Sequence, residues 1–189
     1  MKELYVLSDF KQGDFYSLSN KLIVNQIISE KDFSSFYMHN IHFLNCIFDE
    51  SSFRSSEGEN LIFERCILDS TSFKKSELTN CTFKNCQLAG ISFYGSMLLN
   101  FEFSNCELES IDFNCGDLSN IKFEKSQLEN IWFLESTLCD VKSKGSILKN
   151  LNIKNTRIDK EIYEGNKWVG RTSLKMNDLN SFLKEIDSN

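Results

Sequence analysis

Seven cysteines, two histidines and a scatter of carboxylates are the residues of this 189-residue chain that could do chemistry. Cys46, Cys66, Cys86 and Cys106 recur every 20 residues, while Cys81, Cys115 and Cys139 fall elsewhere. Thiols in register could ligate a soft metal or exchange electrons. They could also serve as small buried hydrophobes. The second reading is the stronger, because no Cys-x-x-Cys pair occurs, no histidine shares the spacing, and the count is odd. Vertically stacked cysteines come within disulfide reach, but parallel Cβ vectors suit that bond poorly. His39 and His42 lie three apart, as a metal pair or a catalytic base could. Solvated surface histidines account for them as well. No nucleophile elbow, P-loop, dinucleotide fingerprint or zincin motif is present. Glu107 and Glu109 imply no pocket by themselves. Catalytic, cofactor-binding and metal-ligating residues are therefore all expected to be absent, and the chain reads as a non-enzyme.

The elements that carry these residues follow a period of five. From Phe33, every fifth position to Ile158 is large and apolar at 24 of 26 sites, with Gly58 and Ser143 as the exceptions. At 41% hydrophobic content, roughly 11 would be expected by chance. Neither a helix of 3.6 residues per turn nor a strand of period two produces this pattern. Two places before each apolar centre stands a second restricted residue, mostly small or aliphatic: Ile41, Cys46, Ser51, Leu61, Cys66, Ile91, Ile111, Ile131. The residues between are polar. Two side chains in five thus point inward.

Segments such as Cys106-Glu107-Leu108-Glu109-Ser110 and Ile111-Asp112-Phe113-Asn114-Cys115 resemble the pentapeptide repeat family, over residues 31–158. The family centres its motif on Leu or Phe; this chain has Ile, Cys or Ser where the family often has Ala. The resemblance implies an all-β fold, a right-handed quadrilateral β-helix of 20 residues per coil. Residues 20 apart should then stack. Phe53, Phe73, Phe93, Phe113 and Phe133 make one column, and Phe43, Phe63, Phe83, Phe103 and Phe123 the column two faces away. Leu-centred columns fill the other two faces. Asn40, Asn60, Asn80, Asn100 and Asn120 make a corner ladder continued by Asp140. Six coils at about 4.8 Å give a rod roughly 30 Å long. The absence of proline fits a fold in which nearly every backbone N–H enters the coil-to-coil ladder.

Three segments follow. Residues 1–30 form an N-terminal cap in which coiling can start early, because Leu18, Ile23 and Ile28 share the phase. Residues 31–158 are the repeat. Residues 159–189 hold a hairpin-like stretch, 162–169, turning at Gly165-Asn166, and a short C-terminal α-helix from Asn177. Leu179, Phe182, Leu183 and Ile186 stripe that helix at i, i+3, i+4 and i+7. It either caps the last coil or docks a second subunit; the family resemblance implies a homodimer through this end.

The surface carries the remaining signals. The formal net charge is -6, which argues against direct nucleic-acid binding. From Asp49 to Asp117 there are 5 basic and 12 acidic residues, a net of -7. From Leu118 to Ile158 there are 7 basic and 4 acidic residues, a net of +3. One outward column reads Asp49, Asp69, Ala89, Glu109, Glu129. It is either ordinary solvation or a surface for a basic groove. Tyr94, Met97, Leu99, Trp132 and Leu134 are apolar at outward positions and could form a contact patch. No run of 18 apolar residues suggests a membrane span, and the first residues lack the apolar core of a signal peptide. Free thiols favour a reducing, cytoplasmic setting. The resemblance implies a specific function: some members are acidic rods that imitate DNA, occupy the DNA-binding saddle of DNA gyrase, and inhibit it or protect it from quinolones and toxins. The alternative is a scaffolding module with another protein partner.

Overall fold

A computed structural model describes residues 3–4, 17–159, 161–164 and 167–169. The chain winds into an all-β solenoid of about 7 turns. Its strands pair in parallel with residues 20 away: Phe63 with Phe83, Leu88 with Leu108, Leu118 with Leu138. Each turn has four sides, named here by one central residue apiece. The Leu98 and Phe103 faces share strands that run around their common corner, such as Met97–Ser104 and Asp117–Glu124. The Leu108 face is a ladder through Ile67–Asp69, Gln87–Ala89, Glu107–Asp112 and Gln127–Trp132. The Phe93 face is held by single bridges, Asp32 to Ser52 to Ser72 to Ser92 to Asp112.

The corners explain why the period is five. Every fifth residue from Asn20 to Asn155 has a positive φ, between 48° and 67°. This left-handed geometry costs most L-residues about 1–2 kcal/mol, and asparagine tolerates it best after glycine. Of these 28 corners, 13 are Asn and three are Gly. The bend lets the corner N–H reach the next coil. Asn20 donates to His39 O at 2.9 Å, Asn40 to Glu59 O at 2.9 Å, and Asn60 to Thr79 O at 3.0 Å. The strand residue beyond bonds the coil before: Ile62 N–H reaches Ile41 O at 2.9 Å. Every coil therefore donates in both directions, which leaves little place for proline.

Inside, the two phenylalanine columns stack face to face. Ring centroids are 4.9 Å apart for Phe53 and Phe73, 5.1 Å for Phe73 and Phe93, and 4.6 Å for Phe63 and Phe83. The columns meet edge-on across the lumen, with Phe63 against Phe73 at 6.4 Å and 89°. Each fully buried Phe stabilises the rod by about 1.5–3 kcal/mol. The break at Gly58 has a steric cause. A Cβ there would lie 2.7 Å from Leu78 Cδ2 and 2.8 Å from Leu61 Cδ1. Leu61, fully buried, leans into the space that a larger residue 58 would occupy.

The N-terminal end follows expectation and the C-terminal end departs from it. Coiling begins before Phe33: Ser17–Ser19, Lys21–Val24 and Ile27–Ser29 pair in register with the coil that follows. Residues 162–169 do not form a hairpin. Glu161–Glu164 lies parallel to Val141–Lys144, and Lys167–Val169 lies parallel to Ile147–Lys149. These strands are two successive sides of one more coil, and pairing with the coil below overrides the local turn signal. The helix expected from Asn177 lies outside the described residues; among those described there is none.

Candidate functional site

The cysteine column is a lumen feature. Cys46, Cys66, Cys86 and Cys106 are buried and free. Each thiol donates to a carbonyl of the coil before: Cys66 to Phe43 O at 3.4 Å, Cys86 to Phe63 O at 3.3 Å, Cys106 to Phe83 O at 3.3 Å. Serine continues the same column, with Ser126 donating to Phe103 O and Ser146 to Phe123 O, both at 3.2 Å. Cysteine and serine thus take the same place here as small donors, as a packing role requires. The hydrogen bond shared with Cys46, then that with Cys86, and then burial hold the Cys66 thiol above its ordinary range. Burial pushes the Cys81 thiol up to about 12. Cys115 is exposed and Cys139 half-buried. Among the described residues no group of three potential ligands is placed to hold a metal ion.

The histidines stand apart from each other and pair with carboxylates of the next coil. His39 Nδ1 lies 3.2 Å from Glu59 Oε2, and His42 Nε2 lies 3.1 Å from Glu64 Oε2. They flank the corner of Asn40, so their rings belong to different faces. This corner carries the asparagine ladder. Asn40 Nδ2 donates to Asn20 Oδ1 at 2.6 Å, Asn80 to Asn60 at 3.2 Å, Asn100 to Asn80 at 2.8 Å, and Asn120 to Asn100 at 2.8 Å. A shallow groove of about 220 Å³ runs beside it, lined by Asn100, Glu102 and Lys122.

The acidic column is real and in register on the Leu108 face. Asp49 pairs with Asp69, Asp69 with Ala89, Ala89 with Glu109, and Glu109 with Glu129. Ser29 Oγ donates to Asp49 at 3.2 Å. At the far end Lys149 forms an ion pair with Glu129 and neutralises the column there. Stacked carboxylates at the coil spacing of about 4.8 Å repel one another, so a cationic partner would relieve the fold as well as bind to it.

The five outward apolar residues do not form one patch. Tyr94, Met97 and Leu99 are 42%, 56% and 44% exposed and follow one another in a single coil, around the corner at Gly95. Trp132 and Leu134 are half-buried and two coils on, with Asn114 between Tyr94 and Leu134. Asn114 Oδ1 accepts the Leu134 N–H at 2.7 Å. The dimer or cap residues Leu179, Phe182, Leu183 and Ile186 lie outside the described residues.

Four solvent-facing sides around a lumen filled by phenylalanine and leucine columns define a quadrilateral β-solenoid. Three overlapping segments, residues 36–113, 56–133 and 76–163, match the model of the pentapeptide repeat region, and the chain belongs to that family. No curated protein matches this sequence. Among solved structures the chain is similar to full-length QnrB1, a plasmid-mediated fluoroquinolone resistance protein. Identity is 16%, the TM-score 0.52, and the match covers 99% of this chain and 95% of that one. It is also similar to a pentapeptide repeat protein of the Arabidopsis thaliana thylakoid lumen, at 19% identity and a TM-score of 0.39, covering 67% of this chain and 68% of that one. These likenesses concern the fold.

Proposed function

We propose that this protein is a non-enzymatic binding rod whose acidic half imitates the charge of duplex DNA and engages the DNA-binding groove of a type II topoisomerase such as DNA gyrase. The observation that carries the reading is charge density. Residues 49–117 hold a net charge of -7. At 20 residues and about 4.8 Å per coil they span about 17 Å, or one net negative charge per ~2.4 Å of axis. Duplex DNA carries one per ~1.7 Å. Within that window the outward column supplies Asp49, Asp69 and Glu109, interrupted at Ala89. The mimicry stops where the rod turns basic after Leu118. The resemblance of the fold to a fluoroquinolone resistance protein supports the same choice of partner.

The test is a gyrase supercoiling assay with purified protein. Inhibition, or protection against a quinolone, is expected at micromolar concentration and should weaken as salt rises. The combined Asp49→Asn, Asp69→Asn and Glu109→Gln substitutions should abolish it. A wild-type protein without effect at micromolar concentration sinks the reading. In that event a scaffolding role remains, supported by the exposed Tyr94, Met97 and Leu99.

A further inference from the structure

We infer that the Leu98 face, on the far side of the rod from the Asp49 column, is a second docking surface, and that it takes a short peptide segment with aliphatic or aromatic side chains flanked by lysine or arginine. This holds whether or not a topoisomerase is bound.

Two columns make the face. The first reads Tyr37, Glu57, Glu77, Met97, Asp117, and the second His39, Glu59, Thr79, Leu99, Ser119. No lysine or arginine stands at an outward position of this face from Tyr37 to Ser119. Among the described residues Glu59 is the one carboxylate of this face with an ion-pair partner, His39 at 3.2 Å. Among the described residues Glu57, Glu77 and Asp117 make no ion pair, although Lys75 stands at the adjoining corner. Glu57 and Glu77 are vertical neighbours at the coil spacing, so their repulsion is uncompensated.

An apolar ridge is set into this acidic frame. Met97 and Leu99 lie side by side, and Tyr94 reaches the same coil from around the corner. The corner residue there is Gly95, whereas the coils on either side have Lys75 and Cys115. Gly95, with φ at +67° and no side chain of its own, puts no Cβ between Tyr94 and Met97, and Lys75 Cγ of the coil before lies 3.7 Å from where one would stand. Tyr37, 41% exposed, closes the face at the other end. Apolar side chains in the centre and unpaired charges of one sign around them complement a basic, apolar segment. Neither a purely acidic nor a purely apolar ligand satisfies both.

The probe is a fluorescein-labelled heptapeptide with Leu-Phe-Leu between pairs of lysines, followed by anisotropy against the full chain. A control peptide replaces Leu-Phe-Leu by Ser-Gly-Ser. The first peptide should bind at least ten-fold more tightly than the control. Met97→Asn, and separately Glu57→Gln with Glu77→Gln, should each weaken it ten-fold or more. Glu107→Gln with Glu109→Gln, on the other face, should change it less than two-fold. All of these positions are exposed, and far-UV circular dichroism checks that the coil is kept. Equal binding of both peptides, an equal loss from the Glu107 and Glu109 variant, or no binding at all overturns the inference.

Discussion

Filling the gap at Gly58 tests how the lumen is packed. Its φ lies outside the left-handed region, so alanine is allowed there, and reduced freedom of the unfolded chain should favour Gly58→Ala by about 0.4–1 kcal/mol. Against this, the new Cβ would stand 2.7 Å from Leu78 Cδ2 and 2.8 Å from Leu61 Cδ1, where carbons prefer about 3.5–4.0 Å. Both leucines are buried between stacked coils, and such overpacking costs about 1–3 kcal/mol. The steric effect wins, and a net loss of about 1–2 kcal/mol is expected. Leu61→Ala alone opens a cavity and should cost about 2–5 kcal/mol. In the double variant the added methyl group enters the vacated space, so the two losses should fall short of their sum by about 1 kcal/mol or more. Equilibrium urea unfolding of the four proteins, read by circular dichroism and by fluorescence to check that the transitions coincide, measures the cycle. Strict additivity, or a Gly58→Ala protein more stable than the parent, would refute the claim that Leu61 occupies the place of a larger residue 58.

Three further outcomes are expected. Asn100→Val removes ladder bonds to Asn80 and from Asn120 and puts a β-branched residue at φ 57°, so it should cost about 2–4 kcal/mol in urea unfolding. Asn100→Gly keeps the backbone at ease and should cost about 1 kcal/mol. Thiol titration of the folded protein should label Cys115 quickly and Cys139 slowly, while the buried five react only on unfolding; fast labelling of Cys86 would contradict a closed lumen. Burial holds the Cys81 thiol up to about 12, so the stability from keeping it neutral is complete below the unfolded-state value and is lost as pH rises from about 9 toward 12. Unfolding midpoints should drop over that window by the equivalent of about 1.4 kcal/mol per pH unit, and Cys81→Ala should flatten the drop.

What the sequence reveals is the repeating part of this geometry. Phe53, Phe73 and Phe93 declare a column because identical neighbours at a fixed spacing need no tertiary information to be recognised. The asparagine ladder is visible for the same reason, but its second cause is not. Asn40 and Asn80 sit at left-handed corners, a constraint that Glu50, Arg65 and Lys125 meet without advertising it. Gly58 looks like a fault until Leu61 is seen leaning into its place. The segment 162–169 misleads because two short strands separated by Gly165-Asn166 carry the local signature of a hairpin, although Tyr163 and Trp168 keep the five-residue phase. The acidic column could be read outright, since vertical register follows from counting. The gap between Tyr94 and Leu134 could be read the same way, since counting by 20 puts Asn114 between them, but the exposure of Tyr94, Met97 and Leu99 could not.

The fixed step of 20 between strand partners governs how this molecule can change over generations. Loss of one residue inside the rod would move every later lumen phenylalanine to an outward position, so deletions and duplications of a whole turn are the changes that preserve it. Only a terminal turn, with a neighbour on one side alone, escapes the rule. Glu3 lies beside Lys21, a step of 18. Natural variation in length should therefore collect at the tips, while the middle grows or shrinks in multiples of one full circuit.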